Sequence, residues 1–166
     1  MPQRKTLTFS EKRKNQSEAK RNKKKNKQFN NRNTPTDTEL NNLLLLHKNK
    51  KFDEAEQLAR SIAKRFPKHP FSWKVLGIAL QQTGRITESL TPIQKSVQLA
   101  PRDAEAHCNL GATLQELGRF DEAEASCRQA IALKSDFAKA HSNLGATLKE
   151  LGRLGEAEAS CRQAIA

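Results

Sequence analysis

The chain has 166 residues with 30 Lys/Arg against 18 Asp/Glu, a formal net charge of +12, and only 5% aromatic residues. Its longest apolar run, Leu43 to Leu46, is far short of a bilayer span, and no apolar stretch of signal-peptide length follows the charged start; this argues against a membrane span and a secretory leader. Three cysteines, an odd number without an export signal, read as free thiols in a reducing compartment, and a cytoplasmic location is the expectation.

The charge is concentrated at the start. Residues 1–36 hold 12 Lys/Arg against Glu11 and Glu18, a net of +10, with only Met1, Leu7, Phe9, Ala19 and Phe29 as apolar residues. So little apolar surface cannot offset the entropy of ordering, and residues 1–35 read as a disordered Lys-rich tail. The run Arg21 to Lys27 (RNKKKNK) attracts phosphates, anionic lipid headgroups or acidic proteins by charge alone. Any such polyanion contact is expected to be weak and salt-dependent, and the competing reading is a solvated tail that aids solubility.

Residues 36–69 read as a first helical pair. Leu40, Leu43, Leu44 and Leu46 share one side of a helix over 39–47, and Lys48 to Lys51 form a turn. Asp53 is placed to cap the second helix with Glu56 three residues on, and that helix ends near Pro67. In the second unit, 70–103, Trp73, Leu76, Gly77 and Leu80 line one face, and Gly84 supplies the left-handed turn. Thr87 opens the next helix, in which Pro92 predicts a kink or a late start, and Pro101 closes the unit.

Units three and four are near copies. Residues 138–166 align with 104–132 without a gap, and 24 of 29 positions are identical. First helices are expected over 105–117 and 139–151, with Gly118 and Gly152 at the turns. Asp121 is expected to cap the following helix of unit three, whereas Gly155 leaves a weaker cap in unit four. Ala123, Ala130, Ala157 and Ala164 permit close helix approach, and Leu110, Leu114 and Ile131 fill the space between. The 34-residue period recurs in Leu76/Leu110/Leu144, Gly77/Gly111/Gly145 and Gly84/Gly118/Gly152, which marks a stacked-repeat architecture.

Trp73-x-x-Leu76-Gly77-x-x-Leu80, a small residue early in the second helix and a closing Pro101 resemble the tetratricopeptide repeat pattern over residues 36–166. Leu at 80, 114 and 148 stands where an aromatic is usual, and Ser135 stands where Pro101 would recur. The resemblance implies an all-α solenoid, a right-handed superhelix of helix–turn–helix pairs with units 36–69, 70–103, 104–137 and a partial 138–166. It also implies a concave groove, lined by first helices, that binds an extended peptide or a protein partner.

The sixth position of each unit reads Asn41, Val75, Asn109 and Asn143. This column, with AHSNLG at 140–145, is similar to the asparagine ladder in repeats of O-linked N-acetylglucosamine transferases, where each amide grips a peptide backbone. An Asn amide can both donate to and accept from a peptide group, although Val75 interrupts the column and Asn is also a common solvated helix residue. Lys74 joins Asn41, Asn109 and Asn143 as a candidate groove residue. The carboxylate clamp of chaperone-binding members does not carry over: the fifth position reads Leu40, Lys74, Cys108, Ser142 and the ninth Leu44, Ile78, Ala112, Ala146.

Nothing in the chain reads as catalytic. His107 with Cys127, and His141 with Cys161, recur through duplication and lack metal-ligand spacing, so neither a metal nor a cofactor is expected. An interaction scaffold is the first expectation. The alternative is the substrate-recruiting front of a larger enzyme such as an O-linked N-acetylglucosamine transferase-like glycosyltransferase. Ala166 falls inside a helix of the fourth unit, so the chain reads as a fragment, or else as one that self-associates through its uncapped last helix.

Overall fold

The computed structural model describes residues 34–165; of the tail expected over 1–35 only Thr34 and Pro35 lie among them. The described residues form eight α-helices and no strand. They are α1 (Asp37–Lys48), α2 (Phe52–Arg65), α3 (Pro70–Gln82), α4 (Ile86–Leu99), α5 (Ala104–Glu116), α6 (Phe120–Leu133), α7 (Ala138–Glu150) and α8 (Leu154–Ile165). Each odd-numbered helix packs on the even-numbered helix that follows it, and each pair stacks on the next, so the all-α repeat solenoid is the observed fold.

One turn joins the two helices of every pair. Gly84 N–H donates to Gln81 O at 3.0 Å and Arg85 N–H to Leu80 O at 2.9 Å, the two bonds of a Schellman motif. The same pair recurs at Gly118/Arg119 and Gly152/Arg153, with φ of 78°, 72° and 75° at the three glycines. In the first unit the position falls on Lys50, which adopts φ 57° and makes the same bonds to His47 O and Leu46 O through Lys50 and Lys51.

This turn corrects the expected caps. Because the chain re-enters a helix directly after the left-handed residue, the N-cap is Lys51, Arg85 or Arg119, and none makes a side-chain cap bond. Asp53 and Asp121 therefore lie inside the first turn as helix-start charges, and Gly155 is likewise past the turn. The cationic residue reaches forward instead: Arg119 Nε and Nη2 both lie 2.7 Å from the Glu122 carboxylate, and Arg85–Glu88 and Arg153–Glu156 repeat the arrangement. A true side-chain cap occurs at Asp103, which accepts from Glu105 N–H at 3.0 Å and Ala106 N–H at 3.2 Å.

Helix α4 begins at Ile86 and runs through the buried Pro92, so there is no late start. The ring lacks the N–H that would bond Glu88 O, yet the helix continues through it, with Ser89, Pro92, Ile93 and Ser96 all buried.

Two kinds of core hold the stack. Across units one and two, Leu43, Ile62, Val75, Leu76 and Leu80 are buried, with Phe52, Phe66, Phe71 and Trp73 packed against them. Units three and four mix small residues with leucines: Cys108, Ala130 and Ala140, and Cys127 and Ala157 with Leu144 and Leu148. Small side chains bury less area each, but they let the backbones approach. A Cβ added at Gly111 would lie 2.5 Å from Cys127 Sγ, and one at Gly77 would lie 2.2 Å from Ile93 Cγ1.

Candidate functional site

First helices touch one another along the stack: α1 meets α3, α3 meets α5 and α5 meets α7, whereas no second helix packs on another second helix. Closer spacing on one side curves the array toward that side, so α1, α3, α5 and α7 form its inner, concave surface. The candidate residues Asn41, Lys74, Asn109 and Asn143 all lie on these inner helices.

They have different surroundings. Asn41 is exposed, Val75 is buried, Asn109 is only 3% exposed and Asn143 is half-buried. Asn109 Oδ1 accepts from Lys139 Nζ at 3.2 Å, while its Nδ2 is buried without a partner. Asn143 Nδ2 points back to α5 and donates weakly to Cys108 O and Sγ, both at 3.4 Å. Lys74 is committed elsewhere: its ammonium lies 2.9 Å from Asp103 Oδ2 and 2.6 Å from Glu105 Oε2, tying α3 to the start of α5. Burial pushes Lys74 down, but the bonds from Glu105 and Asp103 outweigh it and the ammonium titrates above its usual range. Asp103 is moved the other way, burial raising it and Lys74 lowering it further, so its carboxyl sits below the usual range.

The inner surface carries two clefts. One, of about 340 Å³, runs from the end of α1 to the start of α7 and includes Asn109 and Lys139. The other, of about 360 Å³, is bordered by Gln115, Glu116, Asn143 and Glu150. Lys139 is the residue sequence reading missed. It stands one charge reversal away from Glu105, its counterpart in unit three, and that reversal within near-identical repeats was the available signal.

The recurring histidines have a structural task. Trp73 Nε1 donates to Pro67 O at 2.9 Å; in later units His107 Nε2 donates to Pro101 O at 3.0 Å and His141 Nε2 to Ser135 O at 2.8 Å. Each ring N–H holds the carbonyl six residues back, securing the connection between units. Cys108 and Cys127 are buried free thiols, and burial pushes Cys127 up to about 12. Among the described residues no group of three His, Cys, Asp or Glu side chains is placed to hold a metal, and no helix is long and apolar enough to cross a membrane.

Models of the tetratricopeptide repeat match residues 43–104, 104–137 and 138–166. Among solved structures, a MamA protein is 19% identical, with 77% of this chain and 70% of that chain covered at a TM-score of 0.70. MamA from Desulfovibrio magneticus RS-1 is 18% identical over 76% of this chain and 72% of that one, with a TM-score of 0.69. TTC0263, a thermophilic TPR protein in Thermus thermophilus, is 27% identical over 74% and 69%, with a TM-score of 0.62. No curated protein matches the chain.

Proposed function

Since residues 43–166 belong to the tetratricopeptide repeat family, we propose that this solenoid is a protein-interaction scaffold that holds an extended peptide along the inner face of α1, α3, α5 and α7. The observation that carries the reading is the pair of clefts on that face, each bordered by one asparagine of the column, Asn109 and Asn143. An extended strand presents one N–H and one C=O per residue, and an amide side chain can satisfy both. Asn41 stands exposed at the α1 end of the same face, and Lys74 supports it indirectly by fixing the start of α5.

Titration of the full chain with a degenerate peptide library, followed by calorimetry on selected binders, tests the proposal. Asn109→Ala with Asn143→Ala is expected to weaken a selected peptide about tenfold or more, roughly one hydrogen bond per site. Equal affinity in the double variant would remove the asparagines from the binding face. A second reading makes the solenoid the substrate-recruiting part of a glycosyltransferase, and it rests on the same two asparagines. Sequencing the gene beyond codon 166 tests it, and a frame without a catalytic domain ends it.

A further inference from the structure

We propose that the outer, convex face carries a second binding site: the crevice between α6 and α8 receives a tryptophan side chain from a segment of a partner protein. This site is separate from the inner groove, so neither reading depends on the other. Second helices do not pack on one another, and the gap left between α6 and α8 is floored by α7. Its volume is about 380 Å³, and Ile131, Leu144, Leu148 and Ala159 give it an apolar lining.

The repeat itself indicates which side chain suits this position. Two periods upstream, Trp73, Leu76 and Leu80 stand where His141, Leu144 and Leu148 stand here. In unit two the indole packs against the cluster that contains both leucines, and its N–H donates to Pro67 O. His141 keeps that hydrogen bond, from Nε2 to Ser135 O at 2.8 Å, but imidazole lacks the second ring of indole and the crevice opens beside it. An indole brought from outside restores the aromatic packing that unit two builds internally.

Polar groups select an N–H on that ring and a chain around it. A neutral His141 ring that donates from Nε2 keeps a lone pair on Nδ1, and no donor among the described residues is bonded to it. The His141 side chain lines the crevice and is 9% exposed, so this acceptor is largely withdrawn from water, and an indole N–H satisfies it. At the rim, Arg128 on α6 and Glu156 on α8 are 53% and 55% exposed and lie 3.5 Å apart. Each keeps a firmer partner of its own, Glu124 at 2.8 Å for Arg128 and Arg153 at 2.6 Å for Glu156. The long contact between them is the weak one, and charges on a partner can replace it. A chain crossing the mouth with a base on one side of its tryptophan and an acid on the other complements both rim charges; a free aromatic molecule answers neither.

The test uses the full chain, isotopically labelled, and a blocked pentapeptide with tryptophan at its centre, glycine on either side, and lysine and glutamate at the ends. Expected are saturable shifts of the Leu144 and Leu148 methyl and His141 Nδ1 resonances. Binding should be about tenfold tighter than for the twin with leucine at its centre. Ala159→Phe, at an exposed position of α8, should fill the crevice and abolish the shifts. His141→Trp, which copies unit two, should do the same, with the remaining methyl spectrum reporting an intact fold. Equal binding of the leucine twin overturns the aromatic assignment, and equal binding of a 1-methyltryptophan twin overturns the role of Nδ1. Free indole binding as tightly as the pentapeptide overturns a protein-borne source. Shifts that persist in folded Ala159→Phe chain, shifts confined to the side-chain amides of Asn109 and Asn143, or no shifts at all overturn the site.

Discussion

Lys50 shows how one backbone angle separates two residues with the same turn. It sits at φ 57°, where the other units place glycine, and nothing crowds a Cβ at Gly84, Gly118 or Gly152. The cost at Lys50 is therefore conformational rather than steric contact, and Lys50→Gly is expected to stabilise the chain by about 1 kcal/mol. Gly118→Ala should destabilise it by about the same amount; urea midpoints compared with the parent chain check both. Gly111 has the opposite problem, since its added Cβ would lie 2.5 Å from Cys127 Sγ. Gly111→Ala should lose about 1–3 kcal/mol, and Cys127→Ala in the same chain should restore part of it. The thiols give a third residue-level prediction. Burial raises both Cys108 and Cys127, the latter to about 12, whereas Cys161 is exposed. A disulfide reagent at pH 8 should modify one of the three thiols quickly in the native chain and all three in denaturant.

Between elements, carboxylates are held by cations of the next unit. Glu56 accepts from Arg60 at 2.8 Å and Arg85 at 2.9 Å, and Glu124 lies 2.6 Å from Arg153, 29 residues later. The equivalent partner for Arg119 would be position 90, which is Leu, so the middle junction lacks the bridge. Burial pushes Glu56 up, but Arg60 and Arg85 together pull it below 4.5, and Asp103 falls below 3.8 in the same way through Lys74. A depressed carboxyl stabilises the fold above its unfolded pKa and loses that contribution as pH falls through the folded value. Lys74 has the opposite sign: raised above 10.5, it stabilises below that pH and is lost at higher pH. His69, depressed by burial, adds a shallower loss as pH falls from 6.5. Melting temperature against pH should thus fall below about 4.5 and, because the buried thiols Cys108 and Cys127 are raised above 9.0 and ionise first in the unfolded chain, above about 9 as well; Lys74→Met should flatten only the part of the alkaline limb above about 10.5 while costing about 1 kcal/mol near neutrality.

At the scale of the molecule, stability is graded along the stack. The aliphatic and aromatic core joining α1, α2 and α3 buries large side chains, whereas α8 buries only Ala157 and Ser160 and leaves Leu154 65% and Ile165 88% exposed. In a repeat array each unit is stabilised only by its neighbours, so opening should be local. Amide exchange is expected to be fastest in α8 and slowest in α2 and α3; uniform exchange along the chain would contradict this gradation. Binding along the inner face engages helices from every unit, so a groove ligand should slow exchange in α7 as well as in α3 and α5.

The helical pairs and their order were legible in the amino acids because a 34-residue period repeats one pattern of apolar and glycine positions. Gly84, Gly118 and Gly152 marked the turns, since only glycine takes that φ at little cost. Cap chemistry was misread at Asp53 and Asp121 because a cap motif specifies local preference, whereas the Schellman turn fixes where the next helix begins. The same limit applies to the groove. That Asn109 is buried with an unpaired donor, that Asn143 is half-buried and that Lys74 is consumed by Asp103 and Glu105 depend on partners about 30 residues away. Local sequence carries periodicity; only packing between units sets which donors are spent and which remain, because burial and pairing are decided by neighbours in space.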